Sequence, residues 1–334
     1  LSTGGKCLIT STPNSDEDQF AMIWKEANKR FDEYGNDKVI GTNGFYAMKA
    51  HWSEHPDRDE AWADTERSRI GEERFRREHE CEFLIFDETL ISSLTLADME
   101  GVPPVETTGQ VRWFKRPTPG MTYLVSLDPS MGTGGDYAAI QIFELPTFEQ
   151  IGEWHHNMTP MNKQVQILQG INKHIHDTII ERDSSASPQI FYSMENNTIG
   201  EAALMRVMDI GEENIMGMFL SEPIRKGHRR KFRRGFNTTA KHKIDACTKF
   251  KELVEGGKMK INSQLLISEM KDFVATGLSY KAKPGQHDDL VSSCLLMTRM
   301  MKVLADFDPK IFEKWTDRTS ELTTPMPIFG NFYG

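Results

Sequence analysis

Short apolar runs of strand character follow one another through the middle of the chain: 122–127, Tyr137 to Phe143, Gln150 to His156 and 189–194, with a shorter one at 215–220. Between and after them the spacing lengthens to that of helices. Thr159-Pro160 offers a capping hydroxyl and a proline suited to a first helical turn, and Val165, Leu168, Ile171, Ile175 and Ile179 then recur on one face. Helical spacing also covers 199–209, Thr239 to Val254 and Leu265 to Phe273. A last long helix opens at Asp288, with Leu290, Cys294, Met297, Met301 and Leu304 on a shared face. Sequential hairpin strands, followed by helices and strands in alternation, predict a mixed α/β sheet covered by helices over 121–305.

Upstream the pattern thins. Residues 1–85 are polar and charge-rich, with a short strand expected at Cys7-Leu8-Ile9 and a helix from Asp64 to Phe83 marked by Ile70, Phe75 and Cys81. Residues 86–120 read as a linker or edge segment, because Pro103-Pro104, Pro117 and Pro119 interrupt regular structure. The tail, 306–334, is apolar and proline-punctuated; docking on a partner and packing back on the chain are both open. A length of 334 residues and a 38% apolar share fit about two packed domains. No apolar run is long enough to span a bilayer, and the first residues lack the layout of a signal peptide. Cys7, Cys81, Cys247 and Cys294 are scattered, which argues against a disulfide framework or structural zinc and fits a reducing cytosol.

The net charge of −9 argues against a nucleic-acid partner until its distribution is considered. Arg225, Lys226, Arg229, Arg230, Lys231, Arg233, Arg234, Lys241 and Lys243 fall in one stretch without an acid, interleaved by Phe232 and Phe236. Such a segment can neutralise phosphates and stack on a strand, so Arg229, Arg230, Lys231, Arg233, Arg234, Lys241 and Lys243 are expected DNA contacts. The plainer reading is a solvated basic loop.

Acids at the ends of elements point to the chemistry. Asp128 closes the first strand, Glu195 closes the fourth, and Asp288-Asp289 open the last helix. Carboxylates held by rigid elements far apart in sequence suit a hard divalent cation. Two such ions about 3.5–4 Å apart would clamp the attacking and leaving oxygens of a phosphodiester, the pattern of a metal-dependent nuclease. Each acid also has a plainer reading: a turn at Asp128-Pro129, a polar loop at Glu195 with Asn197 or Thr198 capping the next helix, an N-cap at Asp288 or Asp289. All of these together demand more coincidence than one site does.

Taken in order, the motifs resemble those of one family. Leu127-Asp128-Pro129-Ser130 with Gly134-Gly135-Asp136-Tyr137, then Met194-Glu195-Asn196-Asn197, then Gly285-Gln286-His287-Asp288-Asp289-Leu290-Val291 resemble the three motifs of the nuclease domain in large terminase subunits of tailed bacteriophages, most closely contractile-tailed ones. Thr238 to Glu255 is similar to that family's threonine-and-lysine loop and helix. Ile9-Thr10-Ser11-Thr12-Pro13-Asn14 resembles the coupling motif that ends the packaging ATPase, and Phe75 to Phe83 the helix joining ATPase to nuclease. The resemblance implies an RNase H-like nuclease domain over 121–305, preceded over 1–85 by a remnant of the ATPase domain with Thr12 and Asn14 as coupling residues. Asp128, Glu195, Asp288 and Asp289 become catalytic metal ligands and Asp136 an accessory one. His287 would orient a carboxylate or simply pack.

Two Mg²⁺ ions are then expected, with Mn²⁺ able to substitute. Asp128 would bridge them, Glu195 completing one shell and Asp288 or Asp289 the other, to leave a 5′ phosphate and a 3′ hydroxyl. The Walker A loop and Walker B acid of such subunits are missing; Gly4-Gly5-Lys6-Cys7 lacks the first glycine and the hydroxyl. The chain is expected to be a C-terminal fragment, with ATP bound only in the intact subunit. The implied function is cutting of concatemeric double-stranded DNA with little sequence specificity. The implied partners are the portal and small terminase subunit, at the procapsid portal in the host bacterial cytoplasm, with no membrane. Two other readings stay open: another RNase H-like nuclease of junction-resolvase or transposase type, and a DNA-gripping motor fragment whose nuclease is dormant in isolation.

Overall fold

A computed structural model describes residues 6–13, 19–30, 39–83, 88–197, 199–222, 234–277 and 279–307. It divides into two compact units, Leu1–Glu88 with Ser92–Asp98, and Thr89–Ile91 with Met99–Gly334.

The first unit contains α1 (Gln19–Asn28), α2 (Glu60–Ile70), α3 (Glu72–Glu78) and α4 (Ser93–Asp98). Asp59 caps α2 by accepting from the Trp62 N–H at 2.8 Å. The single helix expected from Asp64 to Phe83 is two helices, because Gly71 turns the chain at φ 85° and ψ 154°, a conformation that side chains disfavour. Trp52, Ala63 and Phe75 form a small core with Trp62 and Ile70 against it. Cys7-Leu8-Ile9, expected as a strand, is not one: a strand needs a partner for its backbone, and these residues lie exposed and irregular. Thr12 is also exposed, while Asn14 lies outside the described residues.

The second unit is built on a seven-stranded mixed sheet. Its strands are β1 (Glu106–Thr108), β2 (Val111–Trp113), β3 (Thr122–Asp128), β4 (Ala138–Leu145), β5 (Glu149–His156), β6 (Gln189–Met194) and β7 (Met218–Phe219), in the spatial order β1-β2-β5-β4-β3-β6-β7. The first five pair antiparallel; β6 joins β3, and β7 joins β6, in parallel. The stretch read as a linker or edge segment supplies β1 and β2, the outermost strands on one side, where short strands near prolines can still pair. A separate hairpin joins β8 (Phe273–Thr276) to β9 (Ser279–Ala282).

Helices cover both faces, as expected of the fold class: α5 (Met161–Arg182), α6 (Gly200–Ile210), α7 (Ala240–Glu255), α8 (Gln264–Asp272) and α9 (Asp289–Phe307). Pro160 stands one position earlier than anticipated, at the N-cap of α5, because its ψ of 149° is extended. Strand side chains alternate between faces. Val125 and Leu127 of β3, Ile140 and Ile142 of β4 and Tyr192 and Met194 of β6 share one core with the apolar stripes of α5 and α6. The opposite parity, Ser126 and Asp128 on β3 and Glu195 just past β6, belongs to the face where α9 packs along β3 and β4. Leu296, Met300 and Val303 of α9 close that side with Leu220 and Phe236. Among the described residues no helix is long and apolar enough to cross a membrane.

Candidate functional site

Asp128 and Glu195 stand side by side because two parallel strands end together. Leu127 of β3 is opposite Met194 of β6. One step further brings Asp128 beside Glu195, whose N–H donates to the Leu127 carbonyl at 3.1 Å. The carboxyl ends of parallel strands are where α/β sheets bind ligands. Glu195 is steadied from the following turn: Asn197 Nδ2 donates to its Oε2 at 3.0 Å, while Asn197 Oδ1 accepts from the Gly200 N–H at 2.9 Å, although the N-cap position of α6 is Ile199, which has no side-chain cap. Asn196 donates through Nδ2 to the Arg234 carbonyl and through its N–H to the Phe236 carbonyl, both at 2.7 Å. The end of β6 is thereby tied to the residues that precede α7.

Asp288 and Asp289 come from the start of α9. The Asp288 carboxylate accepts from the Ala282 N–H at 3.3 Å and faces Lys243 Nζ at 3.9 Å. The Asp289 carboxylate accepts from the Tyr137 N–H at 3.3 Å, with His287 Nδ1 3.7 Å away. Asp136 is exposed beside them.

These acids feel one another. Burial holds the Asp128 carboxyl well above its ordinary 3.8, and contact with Glu195 and the charges of Asp289 and Asp288 push the same way. Asp289 is pushed up to about 6 by burial, with Asp288 and Asp136 adding and the Tyr137 N–H opposing. Crowded carboxylates that resist ionisation are stabilised by a cation, and an all-oxygen donor set suits Mg²⁺ or Mn²⁺ rather than a softer metal. Among the described residues no three His, Cys, Asp or Glu side chains are arranged to hold a metal ion as they stand. The fit is therefore one of donor chemistry, not of a finished cage.

Asp128 and Glu195 open onto a pocket whose other walls include Thr238, His242 and Lys243 around the start of α7 and Ser292 and Arg299 of α9; Asp288 and Asp289 do not line it. Of the residues expected to meet DNA, Lys243 is in this pocket, Lys241 is exposed, and Arg234 pairs with Glu212. Arg229, Arg230, Lys231 and Arg233 lie outside the described residues.

Two neighbours escaped sequence reading. Glu269 of α8 accepts from the first N–H groups of α9. Its carboxyl is pushed up to about 9 by burial, with the charges of Asp289 and Asp288 adding. His155 of β5 stacks on Tyr137 at 4.0 Å, and burial pushes its pKa down to about 4. The only sign of Glu269 is an acid among the apolar positions Leu266, Ile267 and Met270; His155 stands out only in the pair His155-His156, which invites a zinc reading that the sequence does not sustain.

The chain is similar to the large terminase nuclease of thermophilic phage G20c with bound magnesium, at 17% identity over 64% of this chain and 97% of that one, with a TM-score of 0.47. It is similar to the large terminase nuclease domain of Thermus phage P74-26 at 17% identity over 60% and 90%, TM-score 0.43. The human cytomegalovirus terminase nuclease domain, manganese-soaked and inhibitor-bound, matches at 13% identity over 63% and 93%, TM-score 0.40. Likenesses this distant assign no residue and no ion here. The family model described as the terminase RNase H-like domain matches residues 125–300, more than half of the chain, in one span that includes Asp128, Glu195, Asp288 and Asp289. The chain belongs to the terminase RNase H-like domain family.

Proposed function

We propose that this chain is a metal-dependent DNA endonuclease that cuts concatemeric double-stranded DNA, with little sequence specificity, during viral genome packaging. The observation that carries this reading is Asp128. It ends a central strand beside Glu195, and burial and the charges of Glu195, Asp289 and Asp288 oppose its ionisation.

Asp128, Glu195, Asp288 and Asp289 would hold two divalent cations, Mg²⁺ or Mn²⁺ in its place, with Asp136 accessory at the rim. When bound there, the cations would supply Lewis acidity, activating water and stabilising the leaving 3′ oxygen. The protein's own groups prepare the site. Asn197 orients Glu195, and the Ala282 and Tyr137 N–H groups fix Asp288 and Asp289. Lys243, 3.9 Å from Asp288, offsets part of the negative charge and offers a donor to a phosphate oxygen. With Arg229, Arg230, Lys231, Arg233, Arg234 and Lys241 it would grip the DNA backbone, a contact that carries no base readout.

In the intact subunit residues 1–85 would close the ATPase domain, with Thr12 and Asn14 coupling it to the nuclease. The portal and small subunit would be its partners, at the procapsid portal in the host cytoplasm. Cleavage of supercoiled plasmid with Mg²⁺, Mn²⁺ or EDTA, by wild type and Asp128→Ala, tests the reading. Nicking and linearisation should require metal and vanish in Asp128→Ala. Cutting that survives the substitution would refute the site, and a folded wild type inert with both metals would refute the activity of this chain.

A further inference from the structure

Glu269 reaches from α8 to the first turn of α9. Its Oε2 accepts from the Leu290 N–H at 2.8 Å and the Val291 N–H at 3.1 Å, and its side chain is 11% exposed. These N–H groups are the orphan donors of a helix start, ordinarily met by an Asp, Asn, Ser or Thr at the N-cap. Asp288 occupies that position and Asp289 follows, so α9 carries its own capping residue. It does not use it. The Asp288 carboxylate accepts from Ala282 and the Asp289 carboxylate from Tyr137, each on another element or loop. A carboxylate folded back onto its own helix would have its oxygens engaged there and turned from Asp128.

We propose that Glu269 is a positioning residue of the candidate site: by capping α9 from outside, it releases Asp288 and Asp289 to face Asp128 and Glu195. The proposal rests on the reading of the site given above. A second contact runs the same way. Glu269 Oε1 lies 3.6 Å from His155 Nε2, His155 stacks on Tyr137, and the Tyr137 N–H holds Asp289. One acid thus caps the helix beneath Asp289 and adjoins, without a hydrogen bond, the imidazole that stacks on Tyr137.

The test uses the full chain as Glu269→Gln and Glu269→Ala, with Asp128→Ala as control. Glutamine keeps an acceptor oxygen at the same reach; alanine keeps none. By amide exchange, the Leu290 and Val291 N–H groups should stay protected in wild type and Glu269→Gln and exchange faster in Glu269→Ala. By calorimetric titration with Mn²⁺, Glu269→Gln should bind within about threefold of wild type and folded Glu269→Ala about tenfold more weakly or worse. Wild-type Mn²⁺ affinity in Glu269→Ala with unprotected amides overturns the proposal, because the cap would then position nothing. Glu269→Gln as weak as Glu269→Ala also overturns it, since the charge and not the cap would be acting. If Glu269→Ala does not fold, Glu269→Gln decides: retained protection and affinity support the proposal, and loss of either overturns it. Mn²⁺ binding unchanged in Asp128→Ala instead strikes the site reading, a result that the Glu269 variants do not produce.

Discussion

The hydroxyls of Ser126 and Ser293 meet at 2.8 Å in the interior, Ser126 Oγ lying 2.9 Å from the Ser293 carbonyl and Ser293 Oγ 3.1 Å from the Ser126 carbonyl. Ser126 shares a face of β3 with Asp128, and Ser293 sits one turn beyond Asp289 on α9. The pair therefore fixes the strand that ends in one acid against the helix that begins with two. Either Ser126→Ala or Ser293→Ala should cost about 1–3 kcal/mol, because the hydroxyl left behind is fully buried. The double variant should cost less than the sum, with a coupling of about 1 kcal/mol. Urea unfolding of the four proteins measures this; strict additivity would mean that the hydroxyls act independently.

A methyl group on Gly200 would be driven far inside van der Waals contact with the Glu195 carbonyl oxygen. Gly200 opens α6, and its N–H is held by the same Asn197 that orients Glu195. Gly200→Ala must therefore push the end of β6 away from β3. We expect a stability loss of about 1–3 kcal/mol and, with Glu195 displaced by even an ångström, a fall in cleavage of about 100-fold. Thermal unfolding and plasmid nicking in Mn²⁺ together check it. Full activity would mean that Glu195 is not needed where it stands.

Much of this arrangement could be read because each key acid terminates or opens a strongly patterned element. Asp128 and Glu195 close apolar strands, and Asp288-Asp289 precede the clearest apolar stripe in the chain. What one-dimensional pattern cannot state is register. Nothing in 122–128 or 189–194 says that Leu127 lies opposite Met194 in parallel, yet that pairing is what joins the two carboxylates. Glu269 went unread for a related reason: its role depends on where α8 points, and α8 carries no motif. The helix drawn through Gly71 was too long because charge-rich spacing continued on both sides of it. Cys7-Leu8-Ile9 is apolar enough for a strand, but apolarity does not provide a partner. The β8–β9 hairpin, whose Ala282 N–H holds Asp288, lies where the residues carry little alternation.

Arg299 closes one wall of the pocket with a fork of donors that lysine cannot reproduce. Its guanidinium donates to Thr238 Oγ1 at 2.9 Å and to the Asn237 carbonyl at 3.0 Å, pairs with Glu222, and lies over the Phe236 ring at 5.2 Å. Arg299→Lys keeps the charge and loses the fork, leaving acceptors short of donors. A loss of about 1–3 kcal/mol is expected, together with faster proteolysis near residues 222 and 237. Unchanged urea midpoints and digestion patterns would show that charge alone suffices there.

In EDTA, stability should fall as pH rises from 6.5 to about 9, and Glu269→Gln should flatten that fall. Glu269 is raised from 4.5 to about 9, first by burial. Over that range the folded chain holds a proton that the unfolded chain has released, so its contribution is whole below pH 4.5 and lost as pH climbs toward about 9. His155 works in the opposite sense. Burial lowers it from 6.5 to about 4, so its contribution is whole above pH 6.5 and lost as pH falls toward about 4. Between pH 4.5 and 6.5 the two slopes oppose each other; above 6.5 only that of Glu269 remains of the pair. Melting temperatures across this range, for wild type, Glu269→Gln and His155→Gln, separate the contributions. Glu269→Gln should fall less steeply than wild type above pH 6.5, the remaining slope being that of Asp128, whose carboxyl burial also holds well above its ordinary range, and His155→Gln should already decline below it. A wild-type curve that rises from pH 6.5 to 9 would mean that Glu269 ionises in the folded chain at an ordinary pH, with the α9 N–H groups outweighing burial.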